Sequence, residues 1–121
     1  MKKLPTIAMT PMPEYGYDPI PLILSGEKVH TLRKQRCHGQ KEVCVKGERT
    51  GIVLEFHSWI EMRQEEFLTD EFAYADGFRT VRWRTPWELL ELSLRHFYGK
   101  APETMWCSHF RIIQRPKEEP K

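Results

Sequence analysis

The segment Ile23-Leu-Ser-Gly-Glu-Lys-Val-His-Thr-Leu-Arg33 constrains the fold more than any other stretch of the 121 residues. A proline in a first helical turn and a glycine just past the last one frame a short helix, and Pro19 and Gly26 stand in those places. If the chain after Gly26 is extended, Thr31 and Arg33 fall on one strand face, because side chains alternate with period two. Lys28, three residues before Thr31, formally points the other way. It reaches the same pocket only from the turn that leaves the helix, which a glycine at the C′ position allows. A hydroxyl, an ammonium and a guanidinium then converge, a set suited to an anionic or strongly polar ligand. The plain alternative is that Lys28 and Arg33 are solvated cations and Thr31 a good strand former.

Other local signals divide the rest of the chain. Five of the nine prolines lie in the first 21 residues, which predicts an irregular or edge-pairing arm over 1–16. Val43 to Lys46 reads as a short strand. Ile52, Leu54 and Phe56 alternate with mixed residues over 52–60, the clearest strand pattern. Thr69 to Ala75 reads as a short helix stopped at Gly77, and Arg79 to Arg84 as extended. The best helix is Pro86 to Tyr98, with Thr85 as N-cap, Glu88 at N3 and Gly99 past the end. Its expected buried stripe is Trp87, Leu90, Leu94 and Phe97. A last strand over 104–114 places Met105, Cys107, His109, Arg111 and Ile113 on one face, and a charged, proline-containing tail over 115–121 is expected to be disordered. Strands interleaved with two or three helices predict one α+β domain over 17–114.

The Gly26-x-Lys28-x-x-Thr31-x-Arg33 pattern resembles the signature of ASCH domains, small β-barrels related to the PUA fold and associated with RNA. The likeness is sharp over 22–33, looser over Asp76-Gly77-Phe78 and Thr85-Pro-Trp-Glu-Leu89, and extends over about two thirds of the chain. It implies a small PUA-like barrel with helices packed on it. Some bacterial ASCH proteins hydrolyse acylated cytidine with a lysine and threonine of the signature and a glutamate of the later helix. By that resemblance the catalytic candidates are Lys28, Thr31 and Glu88. The chemistry is coherent: threonine needs a base to become a nucleophile, and Arg33 is placed to receive an oxyanion. Glu88 also fits a capping box with Thr85, where its carboxylate serves the helix end alone.

Charge is segregated although the net formal charge is only +2. From Lys28 to Arg49 seven basic residues face two acidic ones, and from Glu61 to Asp76 six acidic residues face Arg63 alone. One side of the molecule is thereby suited to a polyanion. In that reading Lys28, Thr31, Arg33, Lys34, Arg36, Arg82 and Arg84 bind the ligand, with Lys41 and Arg49 as further phosphate contacts. Trp59, Trp83, Tyr74 and Phe78 offer stacking surfaces for unpaired bases, or simply fill the core. The partner expected first is RNA or a modified nucleoside or nucleotide. An amidohydrolase on N4-acylated cytidine, or a ribonuclease, is the enzymatic alternative, and a protein-interaction module of the kind phages encode is the third.

Cys37-His38, Cys44 and Cys107-x-His109 are metal-ligating types without the paired spacing of a zinc knuckle, so neither a metal nor another cofactor is expected. Three cysteines leave at least one unpaired, which favours a reducing compartment. No window approaches eighteen apolar residues, and no apolar run follows Met1-Lys-Lys before Pro5. The expected location is cytoplasmic.

Overall fold

The alternating run at Ile52–Phe56 belongs to a strand much longer than its apolar pattern. In the structure, a computed structural model describing residues 3–116, this strand (β4) spans Glu48–Arg63. Before it come β1 (Thr6–Ala8), a 3₁₀ turn at Pro13–Tyr15, α1 (Pro19–Ser25), β2 (His30–Arg33) and β3 (Gly39–Val45). After it come α2 (Gln64–Phe67), α3 (Asp70–Asp76), α4 (Pro86–Tyr98) and β5 (Thr104–Gln114). The five strands form one sheet in the order β1-β3-β4-β5-β2, antiparallel except where β1 runs parallel to β3. Two register shifts between β4 and β5, at Val53/Leu54 and Phe56/Ser58, bend the long strands. The sheet curls into a half-barrel, and its two edges, β1 and β2, are tied by a side chain rather than a ladder. The Nη2 of Arg33 donates to the carbonyl of Ala8 at 2.6 Å.

Curling gives the sheet two apolar sides. Ile7, Met9, Val43, Ile52, Leu54, Phe56 and Phe110 fill the concave interior, and Ile23 of α1 plugs it. On the convex side α3 and α4 bury Leu32, Phe67, Ala73, Leu89, Leu90, Leu94, Met105 and Cys107. The middle of β5 is therefore covered on both faces, with Cys107 and Ser108 equally buried.

The proline-rich arm does pair at a sheet edge: β1 is an edge strand next to β3, with Pro5 just before it, and Ile7 and Met9 are core. Other sequence expectations differ from the structure. α4 keeps its expected ends but buries Leu89, Leu90, Ser93 and Leu94, leaving Trp87 half-exposed and Phe97 exposed. Its facing is set by contact with α3 and the sheet, and Phe97 stands at the rim of a cleft instead. Residues 79–84 are not a strand of the sheet. Val81 and Arg84 close a tight turn with Arg82 and Trp83 in left-handed conformations, so Arg82 and Arg84 do not share a strand face. Trp83 is 99% exposed and Phe78 is core, stacked on Tyr17 at 4.8 Å. The tail beyond residue 116 lies outside the described residues. Among the described residues no helix is long and apolar enough to cross a membrane.

Candidate functional site

The corner after α1 is built by backbone chemistry. Gly26 takes φ +85, its amide donates to the Ile23 carbonyl, and the Lys28 amide donates to that of Leu22. This closure turns Lys28 inward before β2 begins. The residue is 1% exposed, and Nζ donates to the Asp76 carbonyl at 2.6 Å and to Asp76 Oδ1 at 2.8 Å. Asp76 is the last residue of α3, where the helix dipole disfavours a carboxylate. Lys28 offsets that by capping the helix end and neutralising the acid together. Burial alone would raise the Asp76 pKa; the Lys28 ammonium, with His30 beside it, outweighs burial and holds the carboxyl below its ordinary value. His30 brings Nδ1 within 3.2 Å of the same Oδ1, off the line a hydrogen bond needs, and its ring stacks on Phe72. Tyr17 lies over this pair, its ring centroid 5.6 Å from Nζ, and burial raises its phenol pKa.

Above the corner, a cleft of about 600 Å³ opens along the seam between the two sheet edges. Thr31, Arg33, Asp76 and Tyr17 contribute to its lining, with Phe97 and Tyr98 of α4 on the opposite wall. Arg33 Nε donates to Thr31 Oγ1 at 3.1 Å. With Nη2 committed to Ala8, Nη1 makes no hydrogen bond among the described residues, and no carboxylate pairs with the guanidinium. The cleft thus combines an acceptor at its base, a cation with spare donors, a hydroxyl and an aromatic wall.

The sequence-predicted residues separate into groups. Thr31 and Arg33 line the cleft, while Lys28 lies behind Asp76 and is not part of the lining. Lys34 and Arg36 line an adjoining hollow of about 540 Å³ with Gln35, His38 and Trp106. Arg82 and Arg84 sit on the tight turn. Glu88 Oε1 accepts from the Thr85 amide at 3.2 Å and the Thr85 hydroxyl at 3.0 Å, at the helix end away from Phe97 and Tyr98. The carboxylate that meets Lys28 is instead Asp76. An acid immediately before a helix-stopping glycine was its available signal, because that position asks for a compensating cation. Tyr17 carried no local signal. The three cysteines are free, and no cluster of three or more metal-ligating side chains occurs among the described residues.

Neither a protein-family model nor a curated protein matches the sequence. Solved structures match the fold. An Enterococcus faecalis V583 protein assigned to DUF984 aligns with TM-score 0.61 and 16% identity, covering 91% of this chain and 77% of that one. An ASCH domain from Lactobacillus crispatus JV V101 aligns with TM-score 0.56 and 16% identity, over 78% of this chain and 70% of the other. A mutant of an ASCH protein from Zymomonas mobilis aligns with TM-score 0.50 and 12% identity, over 90% and 70%. The chain has the ASCH-domain fold, a PUA-like curled sheet carrying helices.

Proposed function

We propose that the seam cleft binds one nucleotide of RNA, or a free modified nucleotide, without turning it over. The observation that carries this reading is the pairing of Arg33, open to the cleft and free of any carboxylate among the described residues, with a carboxylate held ionised beneath it. Arg33 is suited to a phosphate through its unused Nη1. Asp76 is suited to accept from an exocyclic amine such as that of cytosine, the donor an acidic side chain reads on that base. The aromatic pair Phe97 and Tyr98, both exposed and in the lining, supplies faces against which a base can stack. The ASCH-like fold is consistent with an RNA ligand.

Hydrolysis of N4-acylated cytidine is the second reading. In its favour, Thr31 lines the cleft beside a guanidinium able to stabilise an oxyanion. Against it, the partner of Thr31 Oγ1 is itself a donor, and no base takes the hydroxyl proton among the described residues.

Calorimetric titration of cytidine monophosphate and a short oligocytidylate into the protein tests both. Binding that weakens with salt, and falls roughly tenfold in Arg33→Lys with the fold intact, is expected, since lysine lacks the planar fork. No binding at low salt removes the proposal. Release of cytidine from N4-acetylcytidine, abolished in Thr31→Val, would establish the hydrolase in its place.

A further inference from the structure

The register of the sheet places a second feature against the cleft. Arg33, in the lining, pairs directly with Trp106 of β5, and Thr31 with Ser108. Cross-strand partners have Cβ atoms about 5 Å apart, so Trp106 adjoins the cleft residue. On the other flank of β5, Trp59 of β4 pairs with Ser108. The guanidinium of Arg36 lies 5.4 Å from the ring centroids of both Trp59 and Trp106. His38 approaches the Trp59 ring edge-on. Between Arg33 and this group, Lys34 lies over the ring of Tyr98, itself a cleft residue, at 5.3 Å. Arg33, Lys34 and Arg36 therefore form a continuous strip, each cation backed by an aromatic ring or by the cleft itself.

Arg49, Arg63, Arg79, Arg95 and Arg111 are each paired with a glutamate. Arg82 and Arg84 are exposed with no ion pair among the described residues, but unlike Arg36 no aromatic ring backs them there. No carboxylate lies within ion-pair distance of Lys34 or Arg36 among the described residues, and Glu61, opposite Trp106 in register, makes no such pair. Trp59 keeps 39% of its surface exposed. A guanidinium braced by two indoles loses little freedom on binding and keeps its N–H edge for an anion. The exposed indole remains for a flat, uncharged group beside that anion.

We propose that Arg36, Trp59 and Trp106 form a second nucleotide subsite, which takes the phosphate and base next in the strand to the nucleotide held in the cleft. The preferred ligand is then a single strand of RNA and not a lone nucleotide. From Arg33 to Arg36 the backbone spans at most about 10 Å, a separation neighbouring nucleotides of one strand can bridge. Arg36 and Lys34 receive the linking phosphates, and Trp59 receives a base by stacking, which tolerates any sequence. A duplex does not fit this chemistry, because its bases are not free to stack on an indole.

This inference rests on the proposed nucleotide cleft, and one experiment separates the two. Fluorescence anisotropy of a labelled short oligocytidylate and calorimetry of cytidine monophosphate are run on the wild type, Trp59→Ala and Arg36→Lys. The expected result is an oligonucleotide affinity lowered roughly tenfold in Trp59→Ala, with mononucleotide affinity unchanged. Arg36→Lys retains the charge and loses the stacked fork; it is expected to weaken the oligonucleotide several-fold, with little change in the salt slope. Oligonucleotide binding unaffected in both variants overturns the second subsite and leaves the cleft standing. So does equal affinity for a duplex. If the wild type binds neither ligand, the cleft reading fails and takes this inference with it.

Discussion

Lys28 and Arg36 lie eight positions apart in one basic segment, yet they occupy opposite environments. Lys28 is closed inside the molecule against Asp76, with both its hydrogen bonds spent on one helix end. Arg36 is exposed, braced by two indoles and free of carboxylates among the described residues. The difference lies in what is buried alongside. A cation taken out of water must bring its counter-charge, and the pair then serves as scaffold. A cation backed by aromatic faces keeps its donors turned outward and serves a ligand. The same distinction separates the base of the cleft from the strip beside it.

The largest effect expected from this contrast is on stability. Lys28→Ala or Asp76→Ala leaves the remaining charge buried and unpaired, and each is expected to destabilise the fold by about 3–5 kcal/mol. Arg36→Ala loses only exposed cation–π contacts and is expected to cost under about 1 kcal/mol. Urea midpoints at neutral pH measure all three. The double variant Lys28→Met/Asp76→Leu removes both charges and is expected to recover most of the single-variant loss, as apolar replacements of buried pairs often do. If Lys28→Ala and Arg36→Ala cost the same, the buried corner is not a scaffold.

Acid sharpens the comparison further. The Asp76 carboxyl is held below its ordinary value of 3.8 in the folded protein. Its contribution is complete above the unfolded pKa of about 3.9, and is lost as pH falls through the folded value. Lys28, His30, Tyr17 and Cys107 are ionisable groups that interact with it. The wild-type urea midpoint is therefore expected to drop with increasing steepness below about pH 4, and that of Asp76→Asn to fall less over the same interval. Parallel curves would assign acid sensitivity to the surface carboxylates Glu42 and Glu55, whose pKa values are lowered by hydrogen bonds from Arg49 and Arg111.

What could be read in advance follows the reach of the interactions. The ends of α4 are set by Thr85, Pro86 and Gly99, all within the helix or beside it, and those chemistries are visible in the sequence. The corner at Gly26 is equally local, and so is the ASCH-type fold it announces. The face of α4 is not local: which of Trp87, Leu89, Leu90 or Phe97 turns inward depends on α3 and the sheet. Asp76 becomes a site residue only because a lysine 48 positions earlier reaches it. β1 finds a parallel partner across more than thirty residues, which no turn signal encodes. The cleft was thus legible from its strand side, through Thr31 and Arg33, and hidden on its helix side.

Trp83 is the third aromatic case, and the one with the smallest expected effect. Trp59 and Trp106 hold a cation between them, whereas Trp83 makes no ring contact among the described residues and is 99% exposed. Composition alone would bury it. The backbone prevents this: Arg82 has φ +48 and Trp83 φ +70, and the Arg84 amide closes the turn onto the Val81 carbonyl at 3.0 Å. Left-handed values at both central positions suit glycine or asparagine, and cost roughly 1 kcal/mol or more at other residues. In Trp83→Gly the relief of that strain works against the entropy glycine adds to the unfolded chain, about 0.5–1 kcal/mol. The two nearly cancel, and no packing is lost with the indole. The urea midpoint is expected to stay close to wild type. A loss above about 2 kcal/mol would mean that the ring packs against the protein in solution, and the contrast between braced and bare tryptophans would then fall.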